Sequence, residues 1–101
     1  MNNGYWVVAY RSVTDESALK AYGKLAEVAI TASGGTILAR TGDAIKVHEA
    51  GRQQRTVIVE FSSFAHARFV YDSEAYQAAL RVLGTAAERD FRIIEGHSRQ
   101  P

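Results

Sequence analysis

Apolar residues recur along this chain in two periods that alternate in a definite order. Residues 5–11 (YWVVAYR) are aromatic and β-branched and carry apolar side chains on both alternating faces, which predicts a central strand covered on both sides. Thr14 and Asp15 follow as N-cap candidates, after which Leu19, Tyr22, Ala26, Ala29 and Ile30 recur at helical spacing. Glu16, Lys20, Lys24 and Glu27 take the opposite side, with Glu16 and Lys20 spaced as a favourable i,i+4 pair. The helix should end at Gly34-Gly35, where a residue without a Cβ can adopt the left-handed cap conformation. That pair follows a helix instead of opening one, so it is read as a cap and not as a phosphate cradle.

Strand character resumes at residues 36–40 (TILAR), breaks at Gly42-Asp43, and returns at 44–49 (AIKVHE), where Ile45 and Val47 alternate with Lys46 and His48 as in a short exposed ribbon. A polar turn at 51–54 leads to residues 56–61 (TVIVEF), apolar on both faces and therefore central as well. Ser62 or Ser63 can cap a helical turn bearing Phe64, Ala67 and Tyr71. Asp72 or Ser73 can cap a second segment bearing Tyr76, Ala79, Leu80, Leu83 and Ala87, which predicts a helix in two pieces. Residues 91–95 (FRIIE) form the last strand. The expected division is one domain over 1–96 and a polar, frayed tail over 97–101.

The order strand, helix, strand, strand, helix, strand, with right-handed crossovers, places both helical elements on one face of a four-stranded antiparallel sheet. The predicted class is α+β, a ferredoxin-like βαββαβ sandwich with the first and third strands central. Helices on one side leave the other face open, although the central strands are apolar there too. A second copy of the same sheet is the simplest cover, giving a homodimer, and a different protein using that face is the alternative.

Composition narrows the functional classes. The chain has 101 residues, of which 47% are apolar, enough for one core. Twelve Lys+Arg against eleven Asp+Glu, a net charge of +1 with signs interspersed, provide no basic stripe, so nucleic acid is not an expected partner. The absence of cysteine fits a reducing compartment. Residues 1–4 run straight into the first strand without a signal-like segment, and no apolar run approaches the ~20 residues of a membrane helix. A cytoplasmic protein without membrane contact is the expectation.

Five segments carry a resemblance: GYWVV at 4–8, VTDESALKAY at 13–22, GGTILAR at 34–40, VIVEF at 57–61 and YDSEAYQAA at 71–79. In order and spacing they resemble the bacterial family known as domain of unknown function 1330. The likeness implies a dimeric α/β barrel, in which two ferredoxin-like protomers pack their open sheet faces together, with a cavity between sheet and helices. The fold is shared with small monooxygenases and isomerases, but the resemblance implies no particular reaction. Glu16 stands where similar sequences often carry proline, a departure that concerns helix initiation.

Four residues are candidate ligand-binding groups, and no catalytic residue can be named. Arg40 closes the second strand, where its guanidinium can hold a carboxylate or enolate by two parallel hydrogen bonds, or form a structural ion pair with Glu60. Glu60 interrupts an apolar strand and by period two shares the dimer-side face with Thr56 and Ile58, where it can act as a base or simply pair with Arg40. Tyr71 sits at the helix break, within reach of a pocket, whereas Tyr76 and Trp6 read as core. His48, beside Glu49, is either a solvated ribbon residue or a neutral-pH base. His66 and Arg68 read as surface, and His97 lies in the tail. Histidines so scattered have no ligand spacing, so no metal and no cofactor are expected. Two functions stay open: a module binding a small, partly apolar ligand in the inter-layer cavity, and a cofactor-independent enzyme, isomerase or monooxygenase-like, acting on an enolisable or aromatic substrate.

Overall fold

The strand β1 (Gly4–Val13) occupies an inner position, paired antiparallel on one side to β3 (Thr56–Phe61) and on the other to β4 (Ala87–Glu95), while β2 (Thr36–Thr41) pairs antiparallel with the outer edge of β3. The sheet order is therefore β2-β3-β1-β4, with the two most apolar strands inside as their sequences demand. These features come from a computed structural model that describes residues 2–98; positions 99–101 of the expected tail lie outside the described residues. Among the described residues no helix is long and apolar enough to cross a membrane.

Local chemistry sets the boundaries of the helices. The Asp15 side chain accepts from the Ala18 N–H to start α1 (Glu16–Ala32), Ser63 accepts from the His66 N–H to start α2 (Phe64–Tyr71), and Ser73 accepts from the Tyr76 N–H to start α3 (Glu74–Leu83). At the end of α1, Gly34 at φ 84° and its neighbour donate back to the Thr31 and Ile30 carbonyls at 3.1 and 2.9 Å, the reciprocal pattern of a Schellman cap.

Period two divides the sheet cleanly. Trp6, Val8 and Tyr10 of β1 and Val59 and Phe61 of β3 are buried beneath the helices with Tyr22, Ala26, Ala29 and Ile30 of α1. The Trp6 ring lies 4.9 Å from Phe61, 4.8 Å from Tyr76 and 5.2 Å from Phe91, and its Nε1–H donates to the Ala67 carbonyl at 2.8 Å. The alternate residues Tyr5, Val7 and Ala9 face the other side, opposite Glu60, Ile58 and Thr56 of β3, and among the described residues no helix packs on that face.

Two predicted elements differ. Residues 44–49 form no ribbon: a turn closed by the Gly51 N–H on the His48 carbonyl, with Glu49 at φ 53°, bends the segment, and without a ladder partner its alternation has nothing to stabilise it as strand. The second helical piece stops at Leu83, because Gly84 at φ 53° breaks it. Ala87, read as the end of that helical stripe, instead begins β4, which is four residues longer at its start than its apolar centre suggested.

Replacing Trp6 by Phe removes the donor to Ala67 and part of the central ring. Urea unfolding followed by circular dichroism should show a loss of about 1–3 kcal/mol with an unchanged slope. A loss below a few tenths would show that the indole does not organise this core.

Candidate functional site

Between α1 and the sheet the packing is incomplete. A cavity of about 60 Å³ lies there, floored by Trp6, Val8, Val57, Val59 and Phe91 and roofed by Tyr22, Gly23, Ala26 and Ile30 of α1. Its walls are apolar, but three guanidiniums, Arg40, Arg55 and Arg89, and one carboxylate, Glu27, complete the lining.

Strand parity explains why these cations point inward. Arg89 pairs with Tyr10 across β1 and β4 and shares the helix face with Phe91 and Ile93. The Tyr10 N–H donates to the Arg55 carbonyl at 2.9 Å, which extends the β1–β3 ladder by one residue and sets Arg55 beside the Tyr10 ring. Arg40 arrives by a different route. A bulge between Ile37 and Ala39 shifts the β2 register, so Arg40 pairs with Val57 on the helix face instead of joining Thr36 and Glu60 on the open one.

Arg89 is the most integrated of the three. Its Cζ stands 5.5, 5.1 and 5.2 Å from the ring centroids of Tyr10, Tyr22 and Phe91, and its Nη1–H donates to the Tyr22 hydroxyl at 3.0 Å. The Tyr22 and Tyr76 hydroxyls share a hydrogen bond at 2.6 Å. Burial raises the pKa of both phenols above the ordinary 10.0, and for Tyr22 the Arg89 charge opposes that rise. Burial acts to lower the pKa of Arg89, but its phenol neighbours outweigh it and the guanidinium stays charged.

Arg55 is less satisfied. Its Cζ lies 5.8 Å from the Tyr10 centroid, on a ring that Arg89 also approaches, and its Nε is buried without a hydrogen-bond partner among the described residues. Arg40 Nη1 bonds Glu27 Oε1 at 3.0 Å, an exposed ion pair that links β2 to α1 at the rim. Outside the rim, a groove along α1 shares Gly23, Glu27, Arg40 and Arg55 with the cavity.

The four residues singled out from sequence do not come together. Arg40 lines the cavity, but its ion pair is with Glu27 and not with Glu60. Glu60 lies on the open face, where its Oε2 accepts from Tyr5 Oη at 2.9 Å and Asn3 Nδ2 at 3.0 Å. Tyr71 packs its ring 5.0 Å from Phe91 and 5.3 Å from Tyr76 and is not part of the cavity lining. His48 is exposed in the bent segment. Among the other histidines, His66 is half-buried and not a plain surface residue: its Nε2–H donates to the Ser33 carbonyl at 2.6 Å, tying α2 to the end of α1. Among the described residues no group of three His, Cys, Asp or Glu side chains is placed to hold a metal ion.

Sequence reading passed over Arg55, Arg89 and Tyr22. Arg55 and Arg89 fell just outside the assigned strands, and Tyr22 was placed in the core stripe. The available signal was parity: Arg55 is in step with Val57 and Val59, and Arg89 with Phe91 and Ile93, so each puts a charge on a face meant for the core.

The buried phenol pair makes stability sensitive to alkali. Folding favours the protonated phenols, so their contribution is complete below the ordinary phenol pKa of about 10 and is lost as pH rises through the higher folded-state values. Melting temperature should fall more steeply above pH ~10 in the native chain than in a Tyr76→Phe variant. Equal slopes would contradict the coupling.

No curated protein matches the chain. Solved structures share its fold at low identity. A protein of unknown function from Rhodopseudomonas palustris is 17% identical with a TM-score of 0.70, covering 99% of this chain and 85% of that one. A dimeric protein of unknown function and ferredoxin-like fold from Bacteroides fragilis is 18% identical with a TM-score of 0.53, covering 92% and 95%. SnoaB, a cofactor-independent oxygenase from Streptomyces nogalater, is 9% identical with a TM-score of 0.59, covering 100% and 97%. The ferredoxin-like α+β architecture expected from the element order is thus shared by chains that have almost no sequence in common with it. Residues 3–97 match the family described as domain of unknown function (DUF1330), and the chain belongs to that family.

Proposed function

We propose that this protein binds a small organic anion with an apolar body in the cavity beneath α1, and that it does so as a homodimer. The observation that carries the binding reading is the buried, unpartnered Nε of Arg55, whose guanidinium shares the Tyr10 ring with that of Arg89. Two like charges flank one tyrosine ring in an apolar enclosure, and a buried donor without a partner costs about 1–3 kcal/mol. A carboxylate at Arg55 Nε supplies the missing acceptor and offsets the local excess of positive charge, while the aromatic and aliphatic walls take the remainder of the ligand. Arg40, released from its exposed pair with Glu27, provides a third cation at the rim.

The enzyme reading has less behind it. A cofactor-independent isomerase or oxygenase needs a base near the substrate. The lining phenol Tyr22 is held protonated by burial, as is its partner Tyr76, and the single lining carboxylate, Glu27, is at the rim and already paired. Likeness to SnoaB extends to the fold.

The homodimer rests on the uncovered sheet face, where Tyr5, Val7, Ala39 and Ile58 are half-buried and Ile94 is 44% exposed. Charged groups edge this patch: Asp90 accepts from Arg11 at 2.9 Å and from Arg92 at 3.1 Å. The Bacteroides fragilis protein of the same fold is dimeric. A second copy meeting the patch face to face gives the two-sheet barrel.

Two measurements test these readings. Benzoate and phenylacetate should raise the melting temperature, with benzamide, the neutral isostere, inactive. Ligand at about 100 times its Kd adds about 2.7 kcal/mol. Arg55→Gln should abolish that shift and, because it removes the unpartnered Nε, leave the ligand-free melting temperature unchanged or higher. If neither carboxylate acts, and native mass spectrometry of freshly purified protein retains no acid, the binding reading fails. Light scattering should give twice the chain mass for the native protein, and Ile58→Glu should reduce it to one; a native monomer at micromolar concentration overturns the dimer.

A further inference from the structure

Gly23 occupies the middle of α1, a 17-residue helix whose other interior positions are ordinary helix formers. Glycine is unfavourable there, because the unfolded chain loses most freedom at it. Local sterics do not require it: a Cβ built on Gly23 meets nothing within 4 Å. Other glycines have visible reasons, Gly34 its positive φ and Gly35 the Ile30 and Phe61 side chains pressed 2.7 Å from where its Cβ would stand. Gly34 also faces open space, but only Gly23 does so without a positive φ to require glycine, and the space beside it belongs to two voids. It lines the inner cavity and the outer groove, together with Glu27, Arg40 and Arg55.

We infer that Gly23 is the portal of the binding cavity and sets the width of the ligand that can pass. The inference rests on the cavity being the binding site. One turn along α1, Glu27 reaches across to Arg40, so the opening has a gap at Gly23 on one side and an ion pair on the other. The pair is exposed on both partners and therefore weak. An incoming carboxylate can replace Glu27 as the Arg40 partner at no net loss of charge pairing, and then pass to Arg55 and Arg89 within. Any side chain at position 23 would project into this passage, and its size would cap the cross-section of what enters.

Trp6, the single tryptophan of the chain, lies in the floor of the cavity at 1% exposure and reports on access to it. Iodide, an anion, should quench Trp6 fluorescence in the native protein. Gly23→Ala should melt higher than the native chain and keep part of the quenching. Gly23→Leu should stay folded by circular dichroism, lose at least threefold in its iodide quenching constant, and bind benzoate at least tenfold more weakly. Ala21→Leu places the same side chain at an exposed position of α1 outside the cavity lining and should change neither value. If Gly23→Leu is folded and both its quenching and its benzoate affinity equal those of the native protein, the portal assignment is overturned while the cavity stands as a binding site. If the native protein is neither quenched by iodide nor bound by benzoate, the portal falls together with the cavity reading. Should Gly23→Leu fail to fold, undiminished quenching and binding in Gly23→Ala relative to native also overturn the portal.

Discussion

Trp6 stands where β1, β3, β4, α2 and α3 all converge. Phe61, Tyr71, Tyr76 and Phe91 surround its ring, and its N–H is secured on the α2 carbonyl of Ala67. A buried indole must satisfy its one donor and fill its large volume at the same time, which leaves little latitude in the distance and angle between the α2–α3 pair and the sheet. Rigidity on that side of the molecule has a consequence on the other. The helix α1 packs chiefly on α3, and two of its four roofing residues, Gly23 and Ala26, are small. The cavity is the space left where large aromatic residues end and small helical ones begin.

That space is apolar in its walls and positive at its mouth, a combination the chain could not sustain deep in a core. Arg89 is tolerated because three rings and a phenol oxygen receive its charge. Arg55 has one ring and an unmet donor, and Arg40 has a solvated carboxylate. Of the three, Arg55 has the fewest partners within the protein. Buried unpartnered donors are uncommon in folded chains, which sets Arg55 apart from the other two cations.

The two faces of the sheet carry different groups. The helix face holds the ring cluster and the cavity, while the open face carries Tyr5, Val7, Ile58 and the Glu60 carboxylate with its two donors. Glu60 therefore lies on the open face and not in the pocket. Its hydrogen bonds come from the neighbouring strand and the residue preceding β1, which neutralises the cost of a carboxylate on a half-buried apolar surface without calling on Arg40.

Much of this architecture was legible in the residues themselves. The doubly apolar runs around Trp6 and Val59 required inner strands, Asp15, Ser63 and Ser73 marked helix starts through their side-chain oxygens, and Gly34 marked a helix end through its missing Cβ. These are short-range causes, readable within one turn or one strand. Residues 44–49 and Ala87 were misplaced because alternation and helical spacing are ambiguous over a few residues until a ladder partner or a capping glycine decides them. The site was hidden for a longer-range reason. The side Arg40 faces depends on a bulge at Leu38 that appears only when β2 is paired with β3, and the approach of both Arg55 and Arg89 to one ring depends on Tyr10 being the neighbour of each. Residue types and periods alone determined the elements, their order and the two-faced sheet. Pairing register, which a shift of a single residue reverses, decided which charges meet around the cavity.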